Sequence, residues 1–424
     1  MKINSGISIA IFLLLVSNTT INAQNKTIEW SNGLWFNGTD FASNTFYSIK
    51  GLLTETRPEK VDSIIDLSGR YIIPPFGDAH NHAPESEAEV EIFNERYLAD
   101  GIFYIKNPNS IPLLTHTLLK KINKSNSVDV VFSNGGITAT GGHPVGLYEH
   151  LKQTKYRQAL GNYSTIRMEG KAYYTVNSKE ELGKKWPDIM ADSPAFIKTY
   201  LLYSEEYEQR KNNITYNGKK GMSPQLLATV VKKARSEGLS VSCHVETPTD
   251  VINAVEAGVT EINHLPGYQI RWREGYAAAY YLLDNETVKL MKKKNVHADA
   301  TYSLAESILI EKDSVQRMFR TEVQKKNLAK LKAWGVPVTI GCDSYNKTAR
   351  SEMEYLIKLD VYTPLELLKM WCETTPKAIY PKRNITELKE GFEASFLVLN
   401  ENPLNDPKAM FSIRLRVKQG QLLW

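Results

Sequence analysis

Eight short apolar segments with strand character recur along the middle of the chain, and each is followed by a segment that suits a helix. The eight predicted strands are residues 78–82, 101–105, 129–132, 195–201, 240–245, 261–265, 297–302 and 336–342. Eight such strand–helix units in residues 78–387 predict a (β/α)₈ TIM barrel, and therefore an α/β fold class. In a barrel of this kind the chemistry lies at the carboxyl ends of the strands.

The helical segments carry start and stop signals of their own. Ser223-Pro224 begins one helix and Gly238 follows its end, with an apolar stripe between them. Thr363 with Glu366 forms a capping box at the start of another helix. We also expect a helix over residues 325–334, because Gly335 follows it.

Both ends of the chain are strand-rich instead. Residues 24–77 contain short strand-like runs broken by turn signals such as Asn32-Gly33, and residues 388–424 resemble them. We therefore expect one small β-sandwich domain built from residues 24–77 and 388–424.

The first 23 residues have the features of a secretory signal. Lys2 is followed by an apolar run over residues 7–16 and by a small residue, Ala23, where we expect cleavage. No later run is apolar enough to span a bilayer. The pattern predicts an exported protein, periplasmic or extracellular in a bacterium, without stable membrane insertion after cleavage.

Charge and cysteine content exclude two classes of protein. The formal net charge is +5, from 52 basic and 47 acidic residues without a dense basic block, which argues against a nucleic-acid partner. Three cysteines in 424 residues cannot form a disulfide framework, so the chain depends on an apolar core. The expected partner is a small-molecule substrate. Homo-oligomerisation stays open, since no sequence patch identifies an interface.

Potential metal ligands occur at or near the ends of five of the predicted strands. Alternation along a strand turns the side chains of His80 and His82 to the same side. The whole set consists of four imidazoles, a lysine and an aspartate: His80, His82, Lys198, His244, His264 and Asp343. Each residue alone has an ordinary structural alternative, but together they suffice to hold two divalent ions.

Lys198 is unusual because it lies inside an apolar strand, where burying an ammonium group is costly. One reason for such a lysine is carbamylation by CO₂, which converts the amine into a carboxylate that can bridge two metals. The alternative is an ordinary cation that reaches the rim of the barrel.

These residues, in this order, resemble the amidohydrolase superfamily of metal-dependent hydrolases. The resemblance rests on Asp78-Ala79-His80-Asn81-His82, Phe196-Ile197-Lys198, His244, Glu261-Ile262-Asn263-His264, Gly341-Cys342-Asp343 and the tail from Gly391 to Asn400. It covers nearly all of the mature chain, and it implies the barrel and the terminal β-domain as well.

The resemblance also implies a role for each ligand. His80, His82 and Asp343 would hold one metal, His244 and His264 the other, and carbamylated Lys198 would bridge them. A metal-bound hydroxide would be the nucleophile, and Asp343 would move the proton to the leaving nitrogen. Zinc is the metal that the imidazole content favours.

The segment 137–143, after the third predicted strand, resembles the branch that holds imidazolonepropionase-like enzymes and prolidase-type dipeptidases. There His143 would be a catalytic helper or a substrate contact, with a loop histidine of no role as the alternative. The segment after Lys198 departs from that branch. Tyr200 or Tyr203 could donate a hydrogen bond to substrate there, or simply pack in the core.

The sequence therefore predicts an exported metal-dependent hydrolase that cleaves a C–N amide bond in a dipeptide, an acylated amino acid or a cyclic amide. An ester or lactone hydrolase and a deaminase are alternatives on the same site. A non-catalytic metal-containing binding protein is the alternative of another class.

Overall fold

A computed structural model describes residues 26–85, 87–154, 168–308 and 313–423 of the chain. The predicted signal segment, residues 1–23, lies outside these ranges. Among the described residues, no helix combines the length and the apolar character needed to cross a membrane.

The predicted barrel is confirmed, and within the described ranges eight strand positions follow one another around it. The strands are Phe76–Asp78, Ile102–Asn107, Asp129–Phe132 continued by Gly136–Thr138, Ile197–Tyr200, Val241–His244, Glu261–Asn263, His297–Asp299 and Val338–Thr339. Neighbouring strands are parallel. The barrel closes where the amide of Ala79 donates to the carbonyl of Ile340 at 2.8 Å.

Several strands are shorter than their apolar runs predicted. The sixth strand ends at Asn263 because His264 has a φ of 65°, in the left-handed region that interrupts a strand. His80 and His82 follow the first strand instead of lying within it. They still run beside the last strand, since the amide of His82 donates to the carbonyl of Ser344 at 3.1 Å. A short strand that the sequence did not predict, Tyr173–Thr175, pairs with Gly136–Thr138.

The helices that surround the barrel begin and end largely as their capping signals indicated. They are Val90–Ala99, Pro112–Leu118, Val145–Thr154, Lys179–Ala191, Tyr207–Arg210, Pro224–Ser236, Pro248–Ala257, Asn285–Lys293, Ser303–Ile308, Ser314–Trp334, Arg350–Leu359, Pro364–Lys369 and Thr375–Ile379. The capping box of Thr363 and Glu366 is present. The helix predicted over residues 325–334 begins earlier and spans Ser314–Trp334. The prediction was too short because the buried residues of this helix include the polar Arg320 and Gln324, which interrupt the apolar period by which a helix is recognised in a sequence.

The two chain ends form one mixed sheet beside the barrel, as expected. Its strands within the described ranges are Ile28–Phe36, Phe41–Ile49, Leu52–Thr54, Ser63–Asp66, Tyr71–Ile73, Phe396–Leu399, Ile413–Lys418 and Gln421–Leu422. Tyr71–Ile73 pairs with Phe396–Leu399, which joins the amino-terminal half to the carboxyl-terminal half. Trp30, Trp35 and Phe396 pack edge to face in its core.

Stability should depend on pH through a buried carboxyl group, Glu352, on helix Arg350–Leu359. It accepts the backbone N–H groups of Tyr302 and Ser303 at 2.9 and 2.7 Å. Burial outweighs these bonds and raises the pKa of Glu352 from 4.5 to about 7. A raised native pKa stabilises the fold at low pH, and this stabilisation is lost as pH rises through about 7.

We expect this group to remove about 3 kcal/mol from the free energy of unfolding between roughly pH 4 and pH 8. Urea titrations across that range should give a flatter pH dependence for Glu352→Gln than for the parent. The exposed Glu322→Gln on a neighbouring helix should leave the slope unchanged. Equal slopes for the parent and Glu352→Gln would contradict the assignment.

Candidate metal centre

The carboxyl ends of the barrel strands surround a cavity of about 340 Å³. The structure brings all six predicted ligands to its wall: His80, His82, Lys198, His244, His264 and Asp343. These residues come from the ends of five strands that are far apart in the sequence.

The carboxylate of Asp343, which follows the last strand, lies close to the imidazoles of His80 and His82, which follow the first strand. Its Oδ1 lies 2.9 Å from His82 Nε2 and 3.4 Å from His80 Nε2, and its Oδ2 lies 3.8 Å from His264 Nδ1. One ligand-capable atom from each of His80, His82 and Asp343 lies within 4.8 Å of the others. Two imidazoles and a carboxylate in this arrangement suit one divalent ion.

One ring nitrogen of His82 and one of His264 have a hydrogen-bond partner in the surrounding structure. His82 Nδ1 lies 3.3 Å from the carbonyl oxygen of Asn109, to which it can donate. His264 Nδ1 lies 2.6 Å from Thr301 Oγ1, whose own hydrogen is donated to Ala300. Each contact fixes the orientation of its ring, as the outer hydrogen bonds of metal-ligating imidazoles do.

His80 is held by a carboxyl group on the seventh strand. Its Nδ1 lies 3.1 Å from Asp299 Oδ2, and both groups are buried. Burial raises the pKa of Asp299 well above its usual value and lowers the pKa of His80. The contact with Asp299 fixes the ring orientation of His80.

His244 Nε2 is buried and has no hydrogen-bond partner among the described residues. Its ring centroid lies 4.5 Å from that of His264 and 4.8 Å from that of His143. A buried imidazole nitrogen without a partner costs free energy unless something binds it.

Burial lowers the pKa of each of these imidazoles. The shift applies to His143, His244 and His264, with neighbouring positive charges as a further cause. The rings are therefore neutral at physiological pH, as metal ligation requires.

Lys198 is almost fully buried, and its Nζ donates to Asn263 Oδ1 at 2.5 Å. Burial lowers the pKa of Lys198 to about 8, although nearby carboxylates such as Asp343 act in the opposite direction. About a tenth of the amine is therefore neutral near pH 7. Only the neutral amine can react with CO₂.

Below the centre, Asn263 is held by a buried ion pair. Its Nδ2 donates to Glu261 Oε1 at 3.0 Å, and Glu261 pairs with Lys106 on the second strand. Burial by itself would raise the pKa of Glu261, but the Lys106 charge lowers it overall. Glu261 therefore stays ionised and fixes the direction of the Asn263 amide.

Two centre residues have strained backbone conformations. His264 has a φ of 65° and Asp343 a φ of 47°. Such a conformation costs a non-glycine residue about 1 kcal/mol or more, and it persists at sites that the surrounding structure fixes. His264 follows directly on the sixth strand, whereas Asp343 lies four residues after the eighth strand ends at Thr339. Both side chains line the cavity.

The predicted substrate residues separate into two groups. His143 and Tyr200 line the cavity, with ring centroids 5.4 Å apart. Tyr203 does not line it, because its hydroxyl lies 3.0 Å from that of Tyr281 and Arg210 stacks on its ring. The loops after the third and sixth strands contribute to the cavity wall, whereas the described residues of the loop after the fourth do not.

Sequence reasoning missed Asp299, Glu246 and Arg271. Alternation along a strand was a usable signal for two of them, since Asp299 and Glu246 each lie two residues after a histidine on a barrel strand. Glu246 Oε1 accepts from Tyr268 at 2.9 Å and from Arg271 Nη2 at 3.0 Å. Burial raises the pKa of Glu246, but Arg271 and His244 outweigh it and lower the pKa to about 2.

The sequence profile of the Amidohydrolase family matches residues 71–422, which is most of the chain. The chain belongs to the amidohydrolase family. This places it among hydrolases that act on carbon–nitrogen bonds, a family whose members typically bind divalent metals.

A curated relative is the ochratoxinase of Aspergillus niger, 28% identical over 195 residues. The match covers 44% of this chain and 38% of the relative, so it spans well under half of that protein. The crystal structure of A. niger ochratoxinase has a TM-score of 0.70 at 19% identity, covering 94% of this chain and 95% of that one. A putative prolidase from Bifidobacterium longum has a TM-score of 0.69 at 16% identity, with coverage of 94% and 95%. At these identities the structures share the fold.

Proposed function

We propose that this chain is an exported, metal-dependent hydrolase that cleaves a C–N amide bond in a small molecule. The observation that carries the proposal is the Asp343 carboxylate, which meets the imidazoles of His80 and His82 across the closed barrel. Dipeptides, acylated amino acids and cyclic amides are the substrate classes that fit a cavity of about 340 Å³.

The residues present fit two divalent ions. His80, His82 and Asp343 would hold one, and His244 and His264 would hold the other. The buried, unpartnered Nε2 of His244 supports the second position. Lys198 would join the two as a carbamate, with its remaining N–H still able to donate to Asn263 Oδ1.

Divalent ions at this centre would polarise a substrate carbonyl and acidify water. In amide hydrolysis the water oxygen bonds to the carbonyl carbon, the C–N bond breaks, and the departing nitrogen gains a proton. We assign the transfer of that proton from the water to Asp343, because its carboxylate lies 2.9 Å from His82 Nε2 and 3.8 Å from His264 Nδ1. The side chain accepts it at one carboxylate oxygen and delivers it to the leaving nitrogen.

His143 and Tyr200, whose rings lie beside that of His244, would orient the substrate. Burial keeps His143 neutral and raises the pKa of Tyr200 well above its usual value. Both are therefore hydrogen-bond donors without charge, suited to a carbonyl oxygen on which negative charge develops.

The function is tested by metal content and turnover together. The parent protein should bind about two metal ions per chain and hydrolyse members of a panel of dipeptides, acylated amino acids and cyclic amides. His80→Ala should lose most of that activity, by about 100-fold or more, because it removes a ligand. His116→Ala, at an exposed helix position, should behave as the parent.

If the metal-loaded parent hydrolyses no panel member, the binding-protein alternative stands. If His80→Ala keeps full activity, the proposed centre is wrong.

Carbamylation of Lys198 can be measured separately from activity. After incubation with ¹³C-bicarbonate, NMR should detect a carbamate carbon that Lys198→Ala lacks and that the exposed-lysine control Lys232→Ala retains. Short carboxylic acids should restore part of the activity of Lys198→Ala by replacing the missing carboxylate. A parent spectrum without the signal, recorded on metal-loaded active enzyme, would refute the bridge.

Export follows from the apolar run over residues 7–16 and from Ala23. We expect the exported protein to begin at Gln24, which amino-terminal sequencing after expression in a bacterium would detect. An intact Met1 on protein recovered from outside the cytoplasm would contradict cleavage.

A further inference from the structure

The loop after the sixth strand brings a guanidinium group, that of Arg271, to the wall of the cavity. Among the described residues, the guanidinium of Arg271 makes one hydrogen bond, from Nη2 to Glu246 Oε1 at 3.0 Å. Its Nη1 lies 3.9 Å from Glu274, beyond hydrogen-bond distance, and its buried Nε has no partner. A guanidinium carries five N–H donors, so most of them remain for a ligand.

Glu246, which also lines the cavity, fixes the position of this guanidinium. Its side chain is 1% exposed, and Tyr268 donates a second hydrogen bond to the same Oε1. The other oxygen, Oε2, is buried. A ligand in the cavity therefore meets the Arg271 donors, while Glu246 and Tyr268 fix their direction.

The position of Arg271 relative to the metal centre limits the kind of ligand. Glu246 Oε1, which accepts from Arg271 Nη2 at 3.0 Å, also lies 3.7 Å from His244 Nε2. A single oxygen atom therefore separates the guanidinium from a proposed metal ligand. An anionic group bound by Arg271 would lie close to the bond that is cleaved.

We propose that Arg271 binds the free carboxylate of an N-acylated α-amino acid or of a dipeptide, whose acid group is adjacent to the scissile amide. The proposal rests on the proposed hydrolytic function and narrows its substrate class, because cyclic amides without a carboxylate would not use this contact.

The chemistry of the cavity lining favours a carboxylate over other polar groups as the ligand of Arg271. Arginine presents paired N–H donors that match the two oxygens of a carboxylate, and such charge-assisted bonds are about twice as strong as neutral ones. His143 and Tyr200, two further donors that line the cavity, are neutral. Pro144, Leu147 and Tyr148 add apolar surface to the lining, which suits an acyl group or an amino-acid side chain.

The test compares acids with their uncharged counterparts. N-acetyl-L-leucine and N-acetyl-L-phenylalanine would be compared with their carboxamides, with release of acetate measured for each. For the metal-loaded parent we expect kcat/KM to be at least about tenfold higher for the acids. Arg271→Gln should raise KM for the acids by about tenfold or more and change kcat/KM for the carboxamides by less than about threefold.

Two further variants separate recognition from folding. Arg271→Gln leaves the Glu246 carboxylate buried without its cation, so the double variant Glu246→Gln/Arg271→Gln removes that charge as well. It should retain the parent melting temperature more closely and still lose the preference for acids. Arg414→Gln, which removes an exposed arginine in the terminal sheet, should keep the preference.

The outcomes distinguish this inference from the function on which it rests. If carboxamides and acids are hydrolysed equally well, or if Arg271→Gln slows both equally, the carboxylate contact is wrong and the hydrolase remains. If calorimetry detects Arg271-dependent binding of N-acetyl-L-leucine or N-acetyl-L-phenylalanine but no amide is hydrolysed, the contact stands and the hydrolytic function fails.

Discussion

The hydrogen bonds that close the barrel between its first and last strands position the whole candidate site. The amide of Asp343 donates to the carbonyl of His80 at 2.7 Å. Asn81 and Cys342, 261 residues apart in the chain, are in contact at 3.0 Å. Buried Asp78 accepts from Asn81 Nδ2 at 3.0 Å, which holds the histidine segment to the base of this seam. Without this closure, the Asp343 carboxylate would not meet the two imidazoles.

The barrel interior below the site is polar, which is costly in a protein core. Lys106, Glu261, Asn263 and Lys198 form one connected series of buried hydrogen bonds and one ion pair. Removing one member would leave an unpaired buried group, a change that typically costs several kcal/mol when the group is charged. A core of aliphatic residues would avoid this cost. What the polar series provides is a fixed direction for the Lys198 amine, on which the proposed bridge depends.

The cavity is lined by two sets of residues with different proposed roles. Asp343 and His264, both in left-handed backbone conformations, belong to the metal centre. Arg271 comes from the loop after the sixth strand, and Glu246, which follows the fifth strand, accepts its hydrogen bond. The first set belongs to the frame of the barrel, and the second to a long loop. Loops of this kind are where barrels with a common centre differ in substrate.

The sequence by itself determined the barrel, the sheet made from both chain ends and the six candidate ligands, because these depend on strand–helix periodicity and on residue type near strand ends. It could not determine where each strand stops, since the left-handed turn at His264 follows from tertiary contacts and not from local propensity. The sequence also could not identify the residues that orient each imidazole ring, such as Asp299 for His80, because these residues lie on other strands. The Arg271–Glu246 pair, too, was decided by the tertiary structure alone. It joins a loop to a residue that follows the fifth strand, 25 residues earlier, and only the folded path of that loop turns the guanidinium toward the cavity.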